Sequence, residues 1–390
     1  MNEPIFIARQ DTLEQEILPA HWLAQYKLFG EESYTFQDKG IWKKLCMSSA
    51  AANDRDMHAE ALEEMLTTFS AGHTGKWMLT VYGMDAAVLE GLASMAAIAA
   101  NGTAMGAIAD NALLMHAIAN SETAMQRIAN SQTAMQRVAN NTTAMDAIGR
   151  SRIARDAVQA SPYYNSYIKE NDMAIAKLAV ALANLESAGY SGMAGVAADS
   201  TAMTAVAASS VARNAISASP YYDEKIKEND MAIAKLVVGF ANLESARYSD
   251  CAGMAADSTA MTAVAASSTA MTAVAASATA MGKIAAVDAA LSKLAASTTA
   301  MDALYARKKK LNGGSASKSG KFIILEISQS NAFNTSKYGY ATLSDGSKPD
   351  WSSYLAKYAF FQKYPKYATY MLNDTDSDDY IYYFDIASPR

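Results

Sequence analysis

The chain has 390 residues, 51% of them hydrophobic and 18% charged, and a net charge of −6. That balance excludes a disordered chain and argues against a nucleic-acid shaft, which needs a basic stripe to release counterions. Two cysteines, Cys46 and Cys251, form neither a disulfide framework nor a zinc spacing. The start, Met-Asn-Glu-Pro-Ile-Phe-Ile, lacks the basic and apolar regions of a secretory signal, and no apolar run is long enough to span a bilayer, so neither standard secretion nor membrane insertion is expected.

Residues 1–90 hold Trp22, Trp42 and Trp77 and are expected to form a separate unit. Within them Glu60-Ala-Leu-Glu-Glu-Met-Leu reads as helix. His21, His58 and His73 stand at no metal-binding spacing and read as scattered side chains.

From residue 91 to residue 304 the chain repeats one ten-residue phrase, cleanest in residues 258–277, where Ser-Thr-Ala-Met-Thr-Ala-Val-Ala-Ala-Ser occurs twice running. Met95, Met105, Met115, Met125, Met135 and Met145 keep its register, each followed three residues later by Ile or Val. It resumes at Met193 and Met203 and again at Met261, Met271, Met281 and Met301. Met, then Ile or Val at i+3, then usually Ala at i+4 puts three apolar side chains on one face of about two helical turns. Ser, Asn or Asp at the junctions (Asn140-Asn141, Asp199-Ser200, Ser267-Ser268) caps a new helix in each phrase. A single long coiled coil is disfavoured, because ten residues over three turns is about 3.3 per turn, below the 3.5 of a heptad seam. Each short helix must then cover the apolar face of another, as in a quasi-one-dimensional stack.

Two insertions, residues 161–192 and 219–250, repeat one another at an offset of 58 residues. Each opens Ser-Pro-Tyr-Tyr and continues to Glu-Asn-Asp-Met-Ala-Ile-Ala-Lys-Leu. Each reads as a helical pair, with Asp172 and Asp230 capping second helices that reach Ser187 and Ser245 and are apolar nearly all round. Tyr163-Tyr164 and Tyr221-Tyr222 read as wedges at a junction, and Cys251 reads as a small core hydrophobe. After residue 306 the run Arg307-Lys-Lys-Lys suits the carbonyl end of a helix, and Asn312-Gly-Gly-Ser marks a flexible linker over residues 307–320. Residues 321–390 alternate strand-like runs (from Phe322, from Tyr338 and from Tyr380) with a helical stretch near Trp351, a small α+β domain crowded with tyrosines.

Candidate chemistry is sparse. Asp374, Asp376, Asp378 and Asp385 approach a calcium-loop spacing, but Asp379 stands where that loop turns on Gly, so a solvated acidic turn is expected. Residues 314–321 miss the second half of a phosphate loop, and Gly189-Tyr-Ser-Gly misses a nucleophile elbow. No catalytic constellation, metal site or cofactor is expected.

The repeated Ser-Thr-Ala-Met-x-Ala-Val-Ala phrases resemble those of fibre proteins of tailed bacteriophages. The resemblance covers residues 91–304. It implies a mainly α protein: an elongated, supercoiled array of short helices between an N-terminal virion-attachment domain and a small C-terminal α+β tip. It further implies a structural, non-enzymatic role in a tail, neck or head fibre, made in the host cytoplasm, assembled as a homotrimer, joined to other virion proteins through residues 1–90, and aiding attachment to the host surface. An adhesin whose last domain binds host polysaccharide is the alternative, with Tyr338, Tyr340, Trp351, Tyr354 and Tyr358 as its candidate receptor-binding residues; a glycan-degrading tip is a more distant one, since few carboxylates are available.

Overall fold

The computed structural model describes residues 88, 92, 95–120, 122–328, 339–349, 354–375 and 378–389. The unit expected over residues 1–90, with its histidines and Cys46, lies outside the described residues, save for residue 88. The described chain is mostly helical with one small antiparallel sheet, and its described residues fall into two compact units, the first running to Leu182 and including Glu186–Gly192, the second made of Ala183–Leu185 and the residues from Met193 onward.

The first unit carries helices α1 (Met95–Ala100), α2 (Gly102–Asp110), α3 (Ala112–Ala119), α4 (Glu122–Ala129), α5 (Gln132–Ala139), α6 (Thr142–Arg150) and α7 (Arg152–Ala160), then a short π-helix, π1 (Tyr164–Lys169), and α8 (Asp172–Leu182). Each packs on its third neighbour: α1 on α4, α2 on α5, α3 on α6, α4 on α7, α5 on π1 and α6 on α8. The second unit continues with α9 (Met193–Ala198), α10 (Ser200–Ala208), α11 (Ser210–Ser217), π2 (Tyr222–Ile226), α12 (Asp230–Phe240), α13 (Cys251–Ala256), α14 (Ser258–Ala266), α15 (Ser268–Ala276), α16 (Ala278–Ala285), α17 (Asp288–Ala295) and α18 (Thr298–Tyr305). There α10 meets α12, α12 meets α15, α13 meets α16, α14 meets α17 and α15 meets α18, again third neighbours when π2 is counted.

One or two residues make each corner between successive repeat helices. Ser267 is extended (φ −94°, ψ 116°); its N–H closes α14 on the carbonyls of Ala263 and Val264, its carbonyl receives the Met271 N–H, and its side chain accepts from the Ala270 N–H. The two helices it joins diverge by 101°. A bend of that size after every two to three turns of helix brings the chain back over itself at the third helix, where the apolar face finds its cover. The face is one residue wider than the sequence pattern suggested: Ala270, Met271, Val274 and Ala275 are all fully enclosed, and the Ala before each Met is buried throughout. A fully buried Met or Val contributes roughly 1.5–3 kcal/mol, so a helix of two turns is held by its layers and not by its own propensity.

The corner serines also join layers. The Ser131, Ser151, Ser161 and Ser297 hydroxyls each donate to a carbonyl 32 residues earlier, on Ala99, Ala119, Ala129 and Ala265, at the last turn of the helix beneath. One Oγ thus accepts from its own helix start and satisfies an orphan carbonyl of another helix end. Asparagine corners link differently, Asn141 to the Asp110 carboxylate and Asn171 to the Asn140 amide oxygen.

The insertions keep this stacking but differ from the expected helical pairs. Their first members are π-helices, and their second members stop at Leu182 and Phe240, short of Ser187 and Ser245. The caps are Asn171 and Asn229, not the aspartates that follow them. The stop is set by Asn242, left-handed at φ 57°, which donates to Gly239 while Leu243 donates to Val238; Asn184 has the same conformation at φ 59°. Asp230 instead accepts from the Cys251 N–H, adding to the Asp250 cap at the start of α13. Cys251 is fully buried, and that burial pushes its thiol pKa up.

Both second helices bury a lysine. Lys177 Nζ lies 2.5 Å from Asp146 Oδ1 and donates to the carbonyls of Ser187 and Ala188. Lys235 Nζ meets the Thr204 hydroxyl and the carbonyls of Ser245 and Ala246, and burial lowers its pKa. Three acceptors around each ammonium offset its removal from water. The helix crossings are equally close: a Cβ at Gly149 would lie 3.2 Å from that of Ala181, and one at Gly239 would lie 2.3 Å from the Ala207 carbonyl oxygen. Positions 149 and 207, like 181 and 239, are equivalents at the 58-residue offset, so each crossing has one Gly and one Ala in opposite order.

Residues 307–320 are not a linker. They form β1 (Lys309–Asn312), a turn and the first part of β2 (Ala316–Ser328). With β3 (Gly339–Leu343), β4 (Tyr354–Leu355), β5 (Ala368–Asn373) and β6 (Tyr380–Asp385) they make an antiparallel sheet ordered β1-β6-β2-β5-β3, with β4 paired to β2. The helical stretch expected near Trp351 is a later single turn, α19 (Ala359–Lys363). Alternation along β2 and β6 sends Ile323, Leu325, Phe384 and Ile386 into one core with the repeat residues, and Phe322, Ile324, Ile381 and Tyr383 into a second core on the opposite face. The last repeats and the sheet therefore share a core.

The layer-joining role of the corner serine gives an unequal pair of substitutions. Ser151→Ala removes a cap and orphans the Ala119 carbonyl, at a cost of roughly 2–4 kcal/mol. Ser277→Ala removes a buried cap whose helix start Glu228 also supports through the Ala278 and Thr279 N–H groups, at a cost of about 1 kcal/mol or less. Urea unfolding of the two variants measures the difference; equal losses would contradict the interlayer bond.

Candidate functional site

Alternation in β1 and β6 assembles the richest cluster of aromatic and charged side chains among the described residues. Lys309 faces one side of the sheet and is held by Asp385, at 3.3 Å, and by the Ser388 carbonyl. Lys308 and Lys310, its neighbours, face the other side, where Tyr380 and Tyr382 project from the paired strand β6. Lys308 Nζ lies 4.0 Å from the Tyr305 ring centroid and 5.0 Å from that of Tyr382, and Lys310 Nζ lies 4.9 Å from that of Tyr380. The rings touch in series: Tyr380 with Tyr382 at 4.6 Å, Tyr382 with Tyr305 at 6.0 Å, and Tyr305 with Tyr358 edge-on at 5.7 Å. Lys357 completes the row over Tyr305 and Tyr358. Ammonium groups at these distances are attracted to the ring faces and held there.

Two carboxylates anchor the row from below. Glu326 accepts from the Tyr305 hydroxyl at 2.5 Å and from the Tyr380 hydroxyl at 3.4 Å. Asp302 accepts from the Tyr358 hydroxyl and from Lys357 at 3.0 Å. These bonds hold the Asp302 carboxyl below its ordinary range, and burial together with Glu326 pushes the Tyr305 phenol up. Tyr358 stands at φ 73°, a left-handed conformation that an aromatic residue rarely adopts, and it is kept there by its buried ring, the bond to Asp302 and an N–H donated to the Leu325 carbonyl. A second clamp lies nearby: Lys366 bridges Asp288 of α17, at 3.4 Å, and Asp345, at 3.1 Å. The Ser347 hydroxyl and N–H, with Lys366, lower the Asp345 pKa to about 2. Burial raises the pKa of both phenols bonded to Glu326.

Of the residues proposed from sequence, Tyr358 belongs to this row but is buried and structural. Tyr340 lies on edge strand β3, its ring 5.5 Å from Tyr370 with Lys348 over it, and joins neither Tyr358 nor the row. Tyr354 pairs through its backbone with Ser328 in β4, while Tyr338 and Trp351 lie outside the described residues. Sequence reading missed Tyr305, Lys308, Lys310, Tyr380 and Tyr382 as a group, because the basic run was assigned to a helix end. Reading residues 309–312 as a strand beside the Tyr380 strand would have placed them together. Among the described residues no three metal-ligating side chains gather, and no single helix is long and apolar enough to cross a membrane. Compared with known proteins, no family model matches the chain and no curated protein matches it.

The clamps make the sheet's attachment sensitive to acid. Asp302 and Asp345 have lowered pKa values in the folded chain, so their contribution is complete above the ordinary carboxylate value of 3.8 and is lost as pH falls through the folded values, toward about 2 for Asp345. Melting temperatures measured from pH 5 to pH 2 are expected to fall more steeply for the native chain than for Asp302→Asn with Asp345→Asn. Parallel slopes would show that these carboxylates hold nothing together.

Proposed function

We propose that the chain is a structural fibre protein of a tailed-bacteriophage virion, projecting from tail, neck or head. In this reading the repeats form an elongated, supercoiled rod, residues 1–90 attach to other virion proteins, and the C-terminal sheet meets the host surface. One observation supports the proposal: within each compact unit the helices pack on third neighbours of the same chain, the arrangement expected where length grows by adding equivalent turns. A homotrimer, implied by the resemblance, then joins shafts that already have closed cores. Ile153 and Val211 are the large apolar side chains most exposed among the described residues, and they occupy equivalent positions of the two 58-residue copies. The second reading, an adhesin that binds host polysaccharide through its C-terminal region, is favoured by the exposed lysine row on its tyrosine platform.

Negative-stain electron microscopy of the purified full chain tests the first reading. Thin rods of constant width are expected, and compact particles of equal axes would overturn it.

A further inference from the structure

We infer that the lysine row at the β1–β6 edge binds an acidic polysaccharide through its carboxylates, an inference that rests on the attachment reading and specifies its ligand. Three observations support it. First, charge is segregated: residues 307–390 hold 12 Lys and Arg against 8 Asp and Glu, although the whole chain is at −6. Second, Lys308 and Lys310 are exposed and, among the described residues, form no ion pair, whereas Lys309 between them is paired with Asp385 and Lys357 with Asp302. Third, both unpaired ammonium groups are held on ring faces, so little side-chain freedom is lost when an anion arrives. Lys308 and Lys310 lie on the adjoining rings of Tyr382 and Tyr380, whose centroids are 4.6 Å apart, so their ammonium groups form one short row that a linear polymer bearing a carboxylate on each sugar can follow.

The same geometry selects against other ligands. Single-stranded nucleic acid adds to its phosphate contacts the stacking of bases on open aromatic faces, and neutral sugars need the same faces. Here the faces of Tyr305, Tyr380 and Tyr382 are covered by the chain's own lysines. What remains available is positive charge with phenol edges around it.

The test is binding of the full chain to polygalacturonate, with neutral dextran and single-stranded DNA of similar length for comparison. Binding to polygalacturonate that weakens with salt is expected, with dextran silent and DNA weaker. Lys308→Gln with Lys310→Gln should weaken it by roughly tenfold or more, while the double arginine variant stays near the native value. Lys225→Gln with Lys293→Gln, which removes the same charge from the repeats, should leave it unchanged. Should the glutamine pair melt early, protection of Lys308 and Lys310 from amine acetylation by the bound polymer provides the same reading. Absence of polygalacturonate binding, tighter binding of DNA, equal loss from the repeat pair, or unprotected lysines would each overturn the inference. A chain that forms rods and adheres to cells yet ignores polygalacturonate overturns this inference alone and leaves the fibre reading standing.

Discussion

The structure depends on the contact between a helix and its third neighbour. A helix of nine residues such as α15 is too short to persist in water, and five of its nine residues are Ala or Met. What stabilises it is the enclosure of Ala270, Met271, Val274 and Ala275 between the layers on either side. That enclosure requires the corner to bend by a particular amount, and the corner is a single extended residue whose N–H, carbonyl and side chain are all engaged. Ser suits the position better than other caps where layers meet closely, because its hydroxyl can accept from one helix and donate to another.

The duplicated 58-residue segment shows how narrowly this packing is adjusted. Gly149 against Ala181 in one copy becomes Ala207 against Gly239 in the other, and a Cβ at either glycine would meet its neighbours too closely: Ser187 Oγ at 2.7 Å and the Ala181 Cβ at 3.2 Å in the first, the Ala207 backbone carbonyl at 2.3 Å in the second. The buried lysines follow the same logic, with Asp146 as partner in one copy and Thr204 in the other. Lys177 thereby forms a desolvated ion pair, while Lys235 relies on a hydroxyl and two carbonyls, and burial lowers its pKa against the opposing pull of the Glu244 carboxylate.

Much of the array was legible in the sequence because caps and apolar periodicity are local properties. The Asn, Ser and Asp junctions located helix starts within the repeats, and Met with Ile or Val located the buried face. The third-neighbour closure was not legible, since a ten-residue period says where a helix breaks but not by what angle. The ends of α8 and α12 were misplaced because apolar composition runs on past Asn184 and Asn242, whose left-handed conformations stop the helices. At the C-terminal end, Arg307-Lys-Lys-Lys fits a helix terminus and an edge strand equally well by composition. Only pairing with β6 decides between them; that pairing sets Lys310 opposite Tyr382, and Lys308, just ahead of the strand, lies over Tyr305 and Tyr382. Tyr358 was foreseen as a binding residue and is instead a buried strut, a difference set by its bond to Asp302 in a distant part of the sequence.

The central claim, that one turn of three helices is the unit of the array, is tested most directly by deletion. Removing residues 258–287 takes out three consecutive helices and lets α18 occupy the place of α15 on α12. Removing residues 258–272 takes out one and a half and turns polar faces inward. Thermal unfolding of the two full-length variants should show the longer deletion melting cooperatively within about 5 °C of the native chain and the shorter one far below it. Equal destabilisation by both, or greater tolerance of the shorter deletion, would contradict the three-helix turn.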